Sequence, residues 1–67
     1  MEMVPVVSSQ VAAIGFENGV LRVQFSSGAE YEYTGVPESV FNEMKSAESV
    51  GRYFGANVKA KYPFSRV

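Results

Sequence analysis

Two glycine-bearing turns, a few residues apart, leave this chain few ways to fold. Glu17-Asn18-Gly19 and Ser26-Ser27-Gly28 punctuate three runs of alternating apolar residues between positions 10 and 34. Asn-Gly is the favoured pair for a two-residue hairpin turn, because both central residues take positive φ. With Asn18-Gly19 as that turn, Glu17 faces Val20, Phe16 faces Leu21, Ile14 faces Val23 and Ala12 faces Phe25. Side chains alternate with period two, so Ala12, Ile14, Phe16, Leu21, Val23 and Phe25 share one side of the ribbon. A two-residue Ser27-Gly28 loop then sets Glu30 opposite Phe25 and turns Tyr31 and Tyr33 away. A three-residue loop over Ser26-Ser27-Gly28 sets Ala29 opposite Phe25, Tyr31 opposite Val23 and Tyr33 opposite Leu21, with Gly28 at the left-handed position. Because a one-residue slip carries a whole apolar set to the wrong face, the three-residue loop is expected.

The same register describes the other face: Val11, Ala13, Gly15, Val20, Arg22, Gln24, Glu30 and Glu32. Arg22 lands opposite Glu32, an exposed cross-strand pair worth ~0.2–1 kcal/mol. Gly15, opposite Arg22, leaves a shallow spot open to a partner.

After Thr34 the period changes. Pro37 suits the first position of a helix and Glu38 its first turn. Val40, Phe41, Met44 and Ala47 then follow a helical face. Ser49 is a reasonable N-cap for a second helix, in which Val50, Phe54 and Val58 recur every four residues. Tyr62-Pro63 ends it, since the residue before proline avoids helical φ/ψ. The fold class is therefore α+β: a three-stranded antiparallel meander over about 10–17, 20–26 and 29–34, covered on one face by helices over about 37–46 and 49–61. The expected core joins the inner sheet residues to Val36, Val40, Phe41, Met44, Val50, Phe54 and Val58. Pro5 suits an edge or an extended lead-in, and the tail from Phe64 is either extended along the sheet edge or frayed. Edges left open invite strand addition by the N-terminal segment, the tail or a second copy.

Sixty-seven residues make one domain, spanning 1–67, and a domain this small is marginally stable alone. The sequence holds no Cys, no His and no Asp, which excludes disulfides and Cys/His zinc sites and weighs against calcium loops. No apolar run approaches a membrane span and no signal-peptide pattern appears, so a cytoplasmic location is expected. The net charge of −1 conceals an asymmetry. Residues 1–48 hold seven Glu against Arg22 and Lys45, a balance of −5; residues 49–67 hold Arg52, Lys59, Lys61 and Arg66 without an acid, a balance of +4.

Taken together, Ser8-Ser9, Val11-Ala12-Ala13-Ile14-Gly15-Phe16, Leu21-Arg22-Val23-Gln24-Phe25 with Gly28, and Tyr31-Glu32-Tyr33 followed by Gly35-Val36-Pro37 resemble the opening of the KTSC domain. Ser49-Val50-Gly51-Arg52-Tyr53-Phe54 and Tyr62-Pro63 resemble its second half. That family is named for a segment at the C-terminus of some lysyl-tRNA synthetases and also occurs as small stand-alone proteins of bacteria and phages. The resemblance implies the fold and a bacterial or phage setting, suggests RNA binding through the synthetase association, and assigns no activity.

Three functional readings follow. The first is a non-enzymatic interaction module, with an unknown protein partner or itself, using a sheet edge or the polar sheet face. The second is an RNA or nucleic-acid-binding domain, in which Arg52, Lys59, Lys61 and Arg66 neutralise phosphates while Tyr53, Tyr62 and Phe64 stack on unpaired bases. The third is a phage-type binder of a small anionic nucleotide near Ser8, Ser9, Arg52 and Tyr53, at a helix N-terminus that presents free N–H groups. Ser8 and Ser9 ordinarily satisfy nearby backbone groups. With no His, and no Lys close in sequence, neither serine has an activating base. No catalytic residue, metal or cofactor is expected. Tyr31 and Tyr33 are ordinarily core pillars; a base-stacking platform is the alternative.

Overall fold

In the computed structural model, which describes residues 1–67, both turns take the conformations their residues favour. Asn18 lies at φ 52° and Gly19 at φ 79° in the first; Gly28 lies at φ 98° in the second. The second loop is closed by Phe25 N–H donating to the Ala29 carbonyl at 2.8 Å and Gly28 N–H donating to the Phe25 carbonyl at 2.9 Å. It is the three-residue loop. Val23 pairs with Tyr31, Leu21 with Tyr33, Arg22 with Glu32 and Gln24 with Glu30.

The elements run β1 (Met3–Pro5), β2 (Val11–Glu17), β3 (Val20–Phe25), β4 (Glu30–Thr34), α1 (Glu38–Ser46), α2 (Val50–Asn57) and β5 (Phe64–Arg66). The sheet is five-stranded and antiparallel, in sequence order, rather than three-stranded. The expected meander is its centre. The N-terminal segment adds β1 to β2, pairing Met3 with Gly15 and Pro5 with Ala13. The tail adds β5 to β4, pairing Tyr33 with Phe64 and Tyr31 with Arg66. Backbone groups exposed on β2 and β4 find partners in the chain itself, which a sheet this small needs.

One register expectation fails. Ala12 does not face Phe25: a β-bulge falls between Val11 and Ala13, and Val11 takes the pairing with Phe25. The bulge spends one residue, so Val11 points inward and is fully buried, whereas Ala12 is exposed. The larger apolar side chain gains more from leaving water. Nor is Gly15 an open spot on the outer face. It is buried, and a Cβ built there lies 2.7 Å from Met3 Sδ and 3.1 Å from Met1 Cγ, so the N-terminal methionines already fill it.

α1 begins one residue later than expected, with Pro37 extended at φ −69°, ψ 149° as its cap. α2 starts at Val50, where the Ser49 hydroxyl accepts from Arg52 N–H at 3.3 Å. It ends at Asn57, four residues short of the expected limit. There the Asn57 side-chain amide bonds the Tyr53 carbonyl at 3.3 Å, a contact that competes with helix propagation. Val58 and Lys59 N–H groups then share the Phe54 carbonyl at 3.0 Å each. Residues 58–62 form turns, so Lys59 and Lys61 do not sit on a helix.

The core forms between the inner sheet face and the helices, from Val11, Ile14, Leu21, Val23 and Tyr33 against Val36, Met44, Val50, Phe54 and Val58. Phe16 and Phe41 stack at 5.6 Å at one end. On the outer face Arg22 donates to Glu32 through Nε at 3.0 Å and through Nη2, and its Nη1 lies 3.8 Å from Glu30. The Glu32 hydrogen bond pushes the guanidinium's pKa up, despite partial desolvation. No helix is long and apolar enough to cross a membrane.

The bulge makes opposite demands on neighbouring residues. Val11→Ala is expected to destabilise the domain by about 2 kcal/mol, whereas Ala12→Val stays within about 0.5 kcal/mol. Urea unfolding of both variants checks this; the reverse order would contradict the bulge.

Candidate functional site: an aromatic groove beside a polar recess

An open aromatic surface lies where β3, β4 and β5 meet α2. Phe25 and Tyr31 reach it from the inner sheet face because the Gly28 loop sets their register. Phe64 joins them because it pairs with Tyr33 across the β4–β5 ladder. Their rings pack edge to face and tilted: Phe25 to Tyr31 at 5.7 Å, Tyr31 to Phe64 at 5.5 Å and Tyr33 to Phe64 at 5.6 Å. Phe54 of α2 closes the floor, 5.4 Å from both Phe25 and Tyr33. Such pairs contribute about 0.5–1.5 kcal/mol each beyond area burial, so the floor is preformed. The resulting groove holds about 500 Å³.

Its rings differ in role. Tyr33 is buried, a core pillar whose phenol pKa is pushed up by desolvation and then by Tyr31. Tyr31 is half-buried, and Phe64 is 57% exposed. Lys59 lines the groove and no carboxylate does. Arg66 pairs with Tyr31, which puts it on the same sheet face at the groove's edge. Neither Lys59 nor Arg66 belongs to any of the ion pairs, which involve Arg22 and the N-terminus.

A second, polar recess of about 410 Å³ adjoins the first turn of α2. It brings Ser8 and Ser9 together with Arg52, but not Tyr53, of the four residues named in the small-ligand reading. Ser8, however, is occupied: its hydroxyl accepts from Gln10 and Val11 N–H groups at 3.3 and 3.4 Å. Ser9 contributes its carbonyl to the Ser26 hydroxyl at 3.2 Å. The Ser49 hydroxyl caps α2. Gln10 and Gly51 line both the recess and the groove.

The remaining expected site residues scatter. Arg52 is exposed and also borders a third hollow, of about 540 Å³, with Tyr53. The Tyr53 hydroxyl donates to Glu43 Oε1 at 2.7 Å, tying α2 to α1. Tyr62 packs half-buried against the core, and neither it nor Lys61 lines any of the three hollows. Of the expected cations, only Lys59 lines the aromatic groove; Arg66 pairs with Tyr31 on the same sheet face and lines none of the three hollows. Gln10, Phe25 and Ser27 line the groove without having been expected there. Phe25 was the legible one, since the Gly28 register already put it beside Tyr31.

The KTSC domain model matches residues 7–62. The chain belongs to the KTSC domain family. A crystal structure of a KTSC domain protein from Yersinia pestis superposes with a TM-score of 0.95 at 35% identity, over 98% of this chain and 96% of that one. A protein of Tsukamurella paurometabola is 39% identical over 62 residues, 90% of this chain and 92% of its own length. A lysine–tRNA ligase of Nostoc punctiforme is 38% identical over 47 residues, which are 70% of this chain but 8% of the ligase. In this KTSC domain, β1 and β5 fall outside the matched span, so Phe64 reaches the groove from beyond it.

The interhelical Tyr53–Glu43 bond has a titration signature. That bond, more than burial, pushes the Tyr53 phenol up to about 12. Below pH 10 its contribution to stability is fully present; as pH rises from about 10 to about 12 the unfolded chain ionises first and the contribution is lost. Ultraviolet titration is expected to show one tyrosine ionising near pH 12, absent in Tyr53→Phe.

Proposed function

We propose that this KTSC domain is a non-enzymatic cytoplasmic binding module whose aromatic groove takes single-stranded RNA. The observation that carries the reading is the groove itself: open aromatic faces at Tyr31, Phe25 and Phe64, with Lys59 in the wall, Arg66 at the edge and no carboxylate between them. Unpaired bases stack on such faces at about 1–3 kcal/mol per base, and unpaired cations attract the phosphates that link them. The chain's net charge of −1 does not oppose this locally, because its acids Glu30 and Glu32 are engaged with Arg22 on the opposite sheet face. Similarity to a segment of proteins named lysine–tRNA ligase points the same way.

The other readings have less support. Strand addition would use β1 or β5, which are three residues long and give a partner strand little to pair with. A small anionic nucleotide in the polar recess would meet Arg52, but the Ser8 and Ser49 hydroxyls there already serve the backbone.

Fluorescence titration with a short unstructured RNA at two salt concentrations tests the proposal. Phe64→Ala is expected to weaken binding about tenfold, equivalent to about 1.4 kcal/mol. Replacing Lys59 and Arg66 with Ala is expected to lower the slope of log affinity against log salt by about 1.4, at about 0.7 per phosphate contact. Absence of binding, or binding indifferent to all three residues, overturns the reading.

A further inference from the structure

We propose that the Tyr33 hydroxyl anchors the ligand of the groove by a hydrogen bond to the polar edge of a base, an inference that rests on the single-stranded RNA reading above. Tyr33 is only 4% exposed, yet its oxygen makes no hydrogen bond within the chain. No side-chain oxygen or nitrogen that is sealed from solvent lacks a partner, so the Tyr33 oxygen must lie at an opening. Of the three hollows, only the aromatic groove is lined by Tyr33. A nearly buried phenol therefore turns an unpartnered hydroxyl into that groove. Tyr31 and Tyr62 also carry hydroxyls without partners, but both are merely half-buried, and Tyr53 is bonded to Glu43.

Packing fixes where this hydroxyl stands. Pairing with Leu21 on one side and Phe64 on the other sets its strand position. Its ring lies 5.4 Å from Phe54 and 5.6 Å from Phe64, centroid to centroid. Gln10, Ser27 and Lys59, which also line the groove, are exposed. A group held in place by its neighbours loses little freedom when a ligand binds. The helical wall leaves room for one: Gly55 lines the groove, and a Cβ built there meets no atom within 4 Å. Desolvation, and then Tyr31, push the phenol pKa up, so at neutral pH the oxygen keeps its proton. Such a hydroxyl both donates and accepts, and so serves the edge of any base without choosing among them. What it disfavours is a ring with no polar edge. An apolar ring in the groove would exclude water and leave the hydroxyl unpaired, which is unfavourable. The groove thus separates a base from an apolar ring of equal shape, which stacking alone does not do.

The test is a double-mutant cycle between protein and ligand. One short RNA strand carries thymine bases; the other carries difluorotoluene in their place, a ring of the same shape that hydrogen-bonds only feebly. Both are titrated against wild type and Tyr33→Phe. The variant keeps the ring and loses an oxygen that bonds nothing in the chain, so it is expected to keep the wild-type unfolding temperature. Tyr33→Phe is expected to weaken the thymine strand about fivefold, the loss of one neutral hydrogen bond, and to leave the difluorotoluene strand unchanged. Loss of affinity for the thymine strand alone, at an unchanged unfolding temperature, upholds the inference. Equal loss on both strands, or no loss on either, overturns it while Phe64-dependent binding still stands. If neither strand binds wild type at all, the groove reading and this inference fall together.

Discussion

The pairing of β3 with β4 is the constraint on which everything else depends. It is held at one end by the Gly28 loop, through two hydrogen bonds of 2.8 and 2.9 Å to the residues flanking it. Strand geometry makes this choice binary. In the observed register Tyr31 and Tyr33 face α2, and Glu30 and Glu32 face Arg22. A slip by one residue would push two carboxylates against Met44 and Phe54 and leave Arg22 without partners. Burying an unpaired ionised group costs several kcal/mol at the least, which exceeds any local preference of the loop. The tight turn is therefore selected by what lies on the two faces as much as by glycine.

That division gives the sheet two surfaces of different chemistry. The inner one supplies a dry core and, at its β4–β5 end, a groove where rings outnumber the helical residues available to cover them. α2 stops at Asn57, whose side-chain amide bonds the Tyr53 carbonyl, and turns over 58–62 follow it. The outer surface is neutralised internally, by Arg22 with two glutamates and by methionines laid over Gly15. The two edge strands do more than extend the sheet: β1 covers Gly15, and β5 brings Phe64 to the groove and sets Arg66 opposite Tyr31.

Much of the fold was legible in the residues. Asn18-Gly19 and Gly28 fixed two hairpins, and the apolar spacing of Val40, Met44, Val50 and Phe54 identified both helices. What escaped was set by distant partners. A bulge at Ala12 depends on the core preferring Val11, which no local pattern announces. β1 and β5 are three residues each, too short for periodicity; strand addition by the N-terminal segment or the tail was one expectation among others, and both occur because β2 and β4 offer backbone groups to pair. The candidate site was legible only in part. Arg52, Lys59, Lys61 and Arg66 were grouped by charge and nearness in sequence; α2 ends at Asn57, which leaves Arg52 on the helix, Lys59 and Lys61 in the turns after it, and Arg66 on β5. Tyr53 and Tyr62 matched a stacking role by type, yet one ties two helices together and the other packs on the core.

The central claim is that the inner face at β4 and β5, not the outer face, meets the ligand. Chemical-shift mapping of the isotopically labelled domain, with a short unstructured RNA added stepwise, tests it most directly. The account predicts saturable shifts clustered on Gln10, Phe25, Tyr31, Lys59 and Phe64, with Arg22, Glu30 and Glu32 unmoved. Shifts concentrated around Arg22 and Glu32, or none at any residue, would contradict it.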